Sequence, residues 1–306
     1  MGAKPLLVAG LGFGTALGVA LGALAIAPNM PSGGAGGDDS LREEFQKKAQ
    51  SEDILKAQAD SSDSVMNKLA PLVVDGSLAQ RPVMVIATGE ADEGDVRAVR
   101  DLLKSADAED AGQITLTDEF FRQEGADKLL SLVTNALPAG TKLDTKKVDA
   151  GTHSGQALGA ALLMDPKATE PLSSTKDRAN LLQALRDAGY IDYEDGTILP
   201  AQAVVYVGGK GVSGYYTDAS VNFLKAFDAA GGNTVVAARV EQTADDRIIG
   251  RLREEKSGIS TVDSSNRTVS RMAAVMAVKE QLDGGKGAYG SAASADAAAP
   301  ALPEDI

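Results

Sequence analysis

The sequence predicts an α/β protein of the Rossmann or flavodoxin-like kind. Its mostly parallel five-stranded sheet carries helices on both faces, and a transmembrane helix and an amphipathic or coiled-coil helix precede it. Three observations lead there. Short continuous apolar runs, PVMVIAT at 82–88 and AVVYV at 203–207, alternate with helix-length amphipathic segments, as strands covered on both faces require. The 23 residues from Pro5 to Ala27 carry no charge. Between these regions, Leu41 to Ala70 is charged and helix-favouring, with apolar residues recurring at steps of four and three.

The uncharged run comes first. At ~1.5 Å per residue it is long enough for the ~30 Å hydrocarbon core of a bilayer. Ala25-Ile26-Ala27 resembles a cleavage site, but the length of the run and Pro28 after it favour an uncleaved anchor over residues 5–28. Lys4 on one side and Asp38 and Asp39 on the other place residues 1–4 in the cytoplasm and the main domain outside it, in a periplasm-like space. Gly10, Gly14, Gly18 and Gly22 recur every fourth residue, a spacing that gives such a helix one smooth face for another helix. Gly12-Phe13-Gly14 with Gly18 is no dinucleotide fingerprint, since no strand precedes it.

Residues 29–40, rich in Pro and Gly, read as a flexible stalk. The helix expected over 41–75 carries the stripe Leu41, Phe45, Lys48, Glu52, Leu55, Ala59, Ser62, Met66, Leu69, interrupted by its three polar members. It is either one amphipathic helix lying on its own domain or a weak coiled coil with a second chain. The interaction candidates on it are Leu41, Phe45, Leu55, Met66 and Leu69. Pro71 is expected to end or kink it.

The α/β domain is expected over 81–283. Strands are predicted at 82–88, 113–117, 203–207, 234–238 and 259–262, with helices at 92–106, 154–164, 175–188, 217–229, 245–255 and 266–282. Asp118 is read as the cap of helical material that continues to Pro138. Gly189 and Gly284 mark helix ends. The Gly-, Ala- and Ser-rich residues 284–306 are expected to be disordered.

Composition narrows the chemistry. The chain has 306 residues with 43 acidic against 30 basic, a net charge of −13 that argues against a nucleic-acid partner. Cysteine is absent and His153 is the only histidine, which removes disulfides, thiolate sites and most triads and zinc sites. His153 reads as a capping or surface residue at a helix start. Of the seven methionines only Met272 and Met276 pair at helical spacing, and with Val269 they look like a core face. Gly208–Gly214 follows a strand at the carboxyl edge, where such sheets bind ligands. Gly208, Gly209, Lys210 and Gly211, together with Asp263, are the ligand-loop candidates, although the spacing is not that of a P-loop and glycines for a turn are the favoured reading. Glu90 and Glu241, with Asp263, fall at strand ends, where acids usually serve as solvated caps. No nucleophile–base pair can be assembled, and no cofactor or metal is expected; the reading is non-enzymatic.

LTDEFF at 116–121, LPAGTKLDTKKVDAG at 137–151, the Gly208–Gly211 loop, STVDS at 260–264 and GGKGAYG at 284–290 resemble the actinobacterial MctB/SteB envelope-protein family. The resemblance implies one of two roles. One is copper transport with outer-membrane channel formation. The other is a single-pass envelope protein that works with a membrane partner, SteA, in cell separation and control of septal peptidoglycan hydrolysis. One chain with one spanning run and short apolar strands does not make a channel by itself. The expectation is therefore a scaffold with a SteA-like membrane partner, a second copy of itself and a peptidoglycan hydrolase as candidate partners. Copper export or a channel component is the alternative, and a ligand sensor using Gly208–Gly214 is the third reading. The Pro/Gly stalk departs from the family pattern and argues against a rigid signalling rod.

Overall fold

The computed structural model describes residues 37–167, 169–209 and 214–301, with side chains from 45 onward. The anchor expected over 5–28, including Gly10, Gly14, Gly18 and Gly22, lies outside the described residues. Among those described, no helix is long and apolar enough to cross a membrane.

The chain divides after Asp60. The first helix, α1, runs from Gly37 to Val74. It thus begins inside the expected stalk and continues three residues past Pro71, which stands in its last turn. In the part that precedes Asp60, Phe45, Ile54 and Leu55 are exposed. In the second unit, Ala70, Val74 and then Leu78 are fully buried beneath the sheet, while Val65, Leu69 and Leu72 face water.

The order that follows is β1 (Pro82–Thr88), α2 (Glu93–Ser105), β2 (Glu109–Leu116), α3 (Ala126–Asn135), α4 (Ala150–Leu162), α5 (Thr175–Asp187), β3 (Ile191–Tyr193), β4 (Ala203–Val207), α6 (Tyr215–Asp228), β5 (Thr234–Ala237), α7 (Ile248–Glu254), β6 (Ser260–Val262), α8 (Thr268–Leu282) and β7 (Ala288–Tyr289). Asp118 opens a short 3₁₀ turn, 118–121, but its N-cap is Thr117 and no side chain caps it. The sheet has seven strands in the order β3-β2-β1-β4-β5-β6-β7, with β3 antiparallel and the others parallel. The expected five-stranded sheet is corrected by the two edges. The edge strands β3 and β7 carry no apolar run of their own and are defined by pairing with β2 and β6. The last strand also corrects the expectation of disorder from Gly284, because part of that stretch is a strand.

Two cores lie on the two faces. Met84, Ile86, Ile114, Leu116, Val204, Tyr206 and Val236 point to α3–α7; Val83, Val85, Ala87, Val205, Val207 and Val235 point to α2 and α8. Each fully buried aliphatic side chain stabilises by about 2 kcal/mol relative to exposure, so these runs determine the sheet. The closest helix pair is α4 on α6. A Cβ on Gly151 or Gly155 would come within 2.3 Å and 2.4 Å of the carbonyl oxygens of Ala219 and Phe223, and one on Gly159 within 2.8 Å of Ala230 Cβ. Only hydrogen at these positions lets the backbones approach so closely. The helix α2 crosses from β1 to β2 on one face, and α6 and α7 lead the opposite way on the other, which keeps one hand. The final crossover through α8 runs on the face of α2 but in the direction of α6 and α7, so its hand is reversed.

Candidate functional site at the carboxyl edge

The strand order reverses between β1 and β4, and the carboxyl ends of these two strands form the crevice where open α/β sheets hold ligands. Here the chain's own backbone closes part of that crevice. The amide of Gly209 donates to Thr88 Oγ1 at 2.8 Å, and the amide of Gly208 to the carbonyl of Ala237 at 2.9 Å. A Cβ on Gly209 would stand 2.3 Å from the carbonyl carbon of Glu90, so the two loops touch main chain to main chain. Gly209 therefore serves close approach. Lys210 and Gly211 lie outside the described residues. Gly214, at φ +77, starts α6.

Beside the crevice, burial pushes the hydroxyl of Tyr216 well above its ordinary pKa; the Glu90 and Asp118 carboxylates add to this, and a hydrogen bond to Thr88 opposes it. Burial, with Asp149 and Asp127, raises Tyr215 similarly. These hydroxyls stay protonated and can donate.

On the other face, Arg239 follows β5 and bridges Asp95 at 3.0 Å and Asp92 at 2.9 Å. The hydrogen bond to Asp95 holds its guanidinium firmly charged, against the cost of burial. Asp92 also caps α2, accepting the amides of Gly94 and Asp95, which together with Arg239 lower its pKa.

Asp263 is not a ligand-loop residue. It is wholly buried, paired with Arg253 at 3.0 Å, and bonded to the segment that follows β7. Glu241 is exposed, so Glu90, Glu241 and Asp263 do not form one cluster. His153 is buried, not a surface group, and the cap of α4 is Asp149. Its Nε2 lies 2.8 Å from the Asp144 carbonyl, while Nδ1 has no hydrogen-bond partner. Met272 is buried and Met276 packs partly against the same core, but Val269 is exposed, so the expected three-residue face is only partly a core face. Among the described residues no three His, Cys, Asp or Glu side chains are gathered in a way that could hold a metal ion.

Of the helix candidates, Phe45, Leu55 and Leu69 are exposed, Leu55 by 61%. Met66 is turned onto the core, and the side chain of Leu41 lies outside the described residues. The stripe left in water includes Val65 and Leu72, which sequence reasoning missed; Leu72 is 72% exposed. With Leu55, Ser62 and Leu69 these two positions complete heptad spacing, a signal present in the sequence but masked by the choice of the Met66 row. Sequence reasoning also missed an open polar groove of about 640 Å³ between α2 and β2, with Arg97, Arg100 and Lys104 on one wall and Gln113 and Thr115 on its floor.

The sequence profile of the copper transport outer membrane protein MctB family matches residues 6–300. The chain is 28% identical over 288 residues to proteins named copper transporter MctB from Mycobacterium tuberculosis and Mycobacterium bovis, covering 90% of this chain and 91% of each relative. It is 30% identical over 246 residues to the copper transporter MctB of Mycobacterium leprae, covering 73% of this chain and 74% of that one.

Proposed function

Because the chain belongs to the MctB family of copper transport outer membrane proteins, we propose that it serves copper handling in the cell envelope as a non-enzymatic partner-binding protein. One contrast carries this reading. At the crevice where the sheet would take a ligand, the loop after β4 packs Gly209 against Glu90, whereas Leu55 of the first unit, and Val65, Leu69 and Leu72 of the second, stand in water. An apolar stripe kept at heptad spacing is explained by another helix, and not by a small molecule. The partner is a membrane protein or a second copy. A single pass over residues 5–28 with the N-terminus inside, and helix contact through Gly10, Gly14, Gly18 and Gly22, belong to this proposal and rest on the sequence alone.

A second reading has the same helix engage a SteA-like partner in cell separation, with control of a peptidoglycan hydrolase. The exposed stripe favours it equally, because it concerns the contact and not the cargo.

The test is a deletion strain complemented with the intact chain or with Leu55→Lys/Leu69→Lys. Copper handling predicts raised cell-associated copper and copper-sensitive growth in the deletion, restored by the intact chain and not by the variant. Normal copper with unseparated cell chains would replace the first reading by the second. Full function of the variant would remove the helix from both.

A further inference from the structure

The proposed function leaves the polar groove between α2 and β2 unused, and an irregularity of the strand builds that groove. Val83 pairs with Asp110 but Val85 with Gln113, so β2 carries one residue more than β1 between them. Such a bulge reverses the face on which later side chains stand. Asp110 and Gln113, three apart, would otherwise point to opposite sides of the sheet. Here both reach Arg100 of α2, whose Nη2 donates to Asp110 Oδ2 at 2.8 Å and Nη1 to Gln113 Oε1 at 3.4 Å. The bulge rests on Gly112, at φ +97, where a Cβ would stand 2.7 Å from the Thr197 carbonyl oxygen. Its amide donates to the other oxygen of Asp110 at 2.9 Å. Ala111, Ile114 and Leu116 stay in the core on the opposite side of β2.

This arrangement returns little stability. The Arg100 and Asp110 side chains are 43% and 64% exposed, and an ion pair in water contributes little. The bulge meanwhile interrupts the ladder. What it achieves is a polar floor, with Asp110, Gln113 and Thr115 beside the Arg97, Arg100 and Lys104 row of α2. Arg97 and Lys104 bond to no other side chain among the described residues, so their donors stand ready. A second cavity of about 590 Å³ shares Arg100, Asp110, Gln113 and Thr115 and continues the groove to Asp192 and Tyr193 on β3. There the Arg186 guanidinium lies 4.4 Å over the Tyr193 ring and fixes it.

The lining selects among ligands. Glu93 and Asp101 are interleaved with the cations of α2, and Asp192 and Glu194 stand at the far end. An anionic chain therefore meets carboxylates along its length, and a cationic one meets the α2 row. An apolar ligand would have to strip water from Gln113 and Thr115 without replacing their hydrogen bonds. Adjacent hydroxyls of a sugar both donate and accept, and so match guanidinium, carboxylate and carboxamide groups in pairs. We infer that this groove binds an uncharged oligosaccharide, laid across the Arg100–Asp110 pair from α2 to β3.

The test is an array of immobilised neutral and anionic oligosaccharides. It is probed with the tagged full-length chain in a detergent that has no sugar headgroup. Neutral oligosaccharides should capture the parent chain. Gln113→Leu/Thr115→Val keeps the shape of the floor and removes its polar groups, and should weaken capture about tenfold, the loss expected for one or two hydrogen bonds. Arg97→Ala/Lys104→Ala, on the exposed face of a helix that tolerates alanine, is tested beside it and should do the same. Melting temperatures show which variants are folded, so the second decides if the first is not. Capture by no neutral oligosaccharide overturns the proposal, as does capture by anionic ones alone. Neutral capture that survives in either folded variant overturns it as well.

Discussion

The backbone amide of Thr268, at the first residue of α8, donates to the carboxylate of Asp63 on α1, 3.2 Å away. The side chain of Arg267, the residue at the cap position of α8, supplies no bond to the helix amides, so α1 provides one from outside. Asp63 also pairs with Arg267 at 3.1 Å, and the Thr268 hydroxyl donates to Asn67 Oδ1 at 2.7 Å. Residues 63–67 of α1 are thereby bonded to the start of the helix that covers one face of the sheet. Asp63→Ala should lower stability by about 1 kcal/mol, the usual cost of a lost N-cap, read as a shift in urea midpoint at unchanged slope. Asp63→Asn keeps the acceptor and should recover most of the loss.

The glycine seam between α4 and α6 predicts a larger effect. Gly155→Ala places a methyl 2.4 Å from the Phe223 carbonyl oxygen, in contact with backbone that cannot rotate away. The helices must separate, at a cost of roughly 1–3 kcal/mol, even though alanine favours the helix itself. A thermal melt in which Gly155→Ala matches or exceeds the parent would show that the helices pack less tightly than described.

Neighbouring positions on α1 should behave oppositely. Val74 is fully buried, so Val74→Ala should cost roughly 2 kcal/mol. Leu72 stands mostly in water, so Leu72→Ala should change stability by less than about 0.5 kcal/mol while weakening any partner held by the stripe. Unfolding curves measure the first difference and co-purification the second.

Asp228, at the end of α6, gives a pH signature. Burial raises its pKa above the ordinary carboxylate value, against the hydrogen bond it accepts from the Thr234 amide. A raised folded pKa means that the folded state holds the proton longer than the unfolded one. Stability then falls as pH rises from the ordinary carboxylate value toward the raised one. Asp228→Asn should flatten that slope, and at neutral pH it should be at least as stable as the parent. Melting temperatures from pH 4 to 7 test this, and parallel curves for the two proteins would contradict it.

Much of the core was legible in the sequence. PVMVIAT and AVVYV are apolar on both pleat faces, a pattern only a strand between two helical layers satisfies, and they became the two central strands. Ile191–Tyr193 and Ala288–Tyr289 were not legible, because these edge strands carry no apolar run of their own and are defined by pairing. The candidate site was read less well. The sequence favours Gly208 and Gly209 as turn glycines, and it groups Asp263 with the ligand candidates because a carboxylate after a strand looks alike whether it faces solvent or a buried arginine. The glycine periodicity of residues 10–22 drew attention, while the same spacing at Gly151, Gly155 and Gly159, where the described structure uses it, passed unread.

The sequence by itself determined the alternation of strand and helix, the amphipathic helix ahead of the sheet, the lack of thiol chemistry, and the family resemblance. Those properties are local or compositional: apolar period, charge, and residue types present or missing. Tertiary structure alone decided which row of α1 faces water, that Arg253 neutralises Asp263, and that the residues after Gly287 complete the sheet. Each of these depends on residues distant in the chain meeting at a few ångströms, where burial and pairing outweigh local preference. Met66 and Leu72 are both apolar residues of one helix. Only the sheet beneath one of them packs it against the core and leaves the other in water.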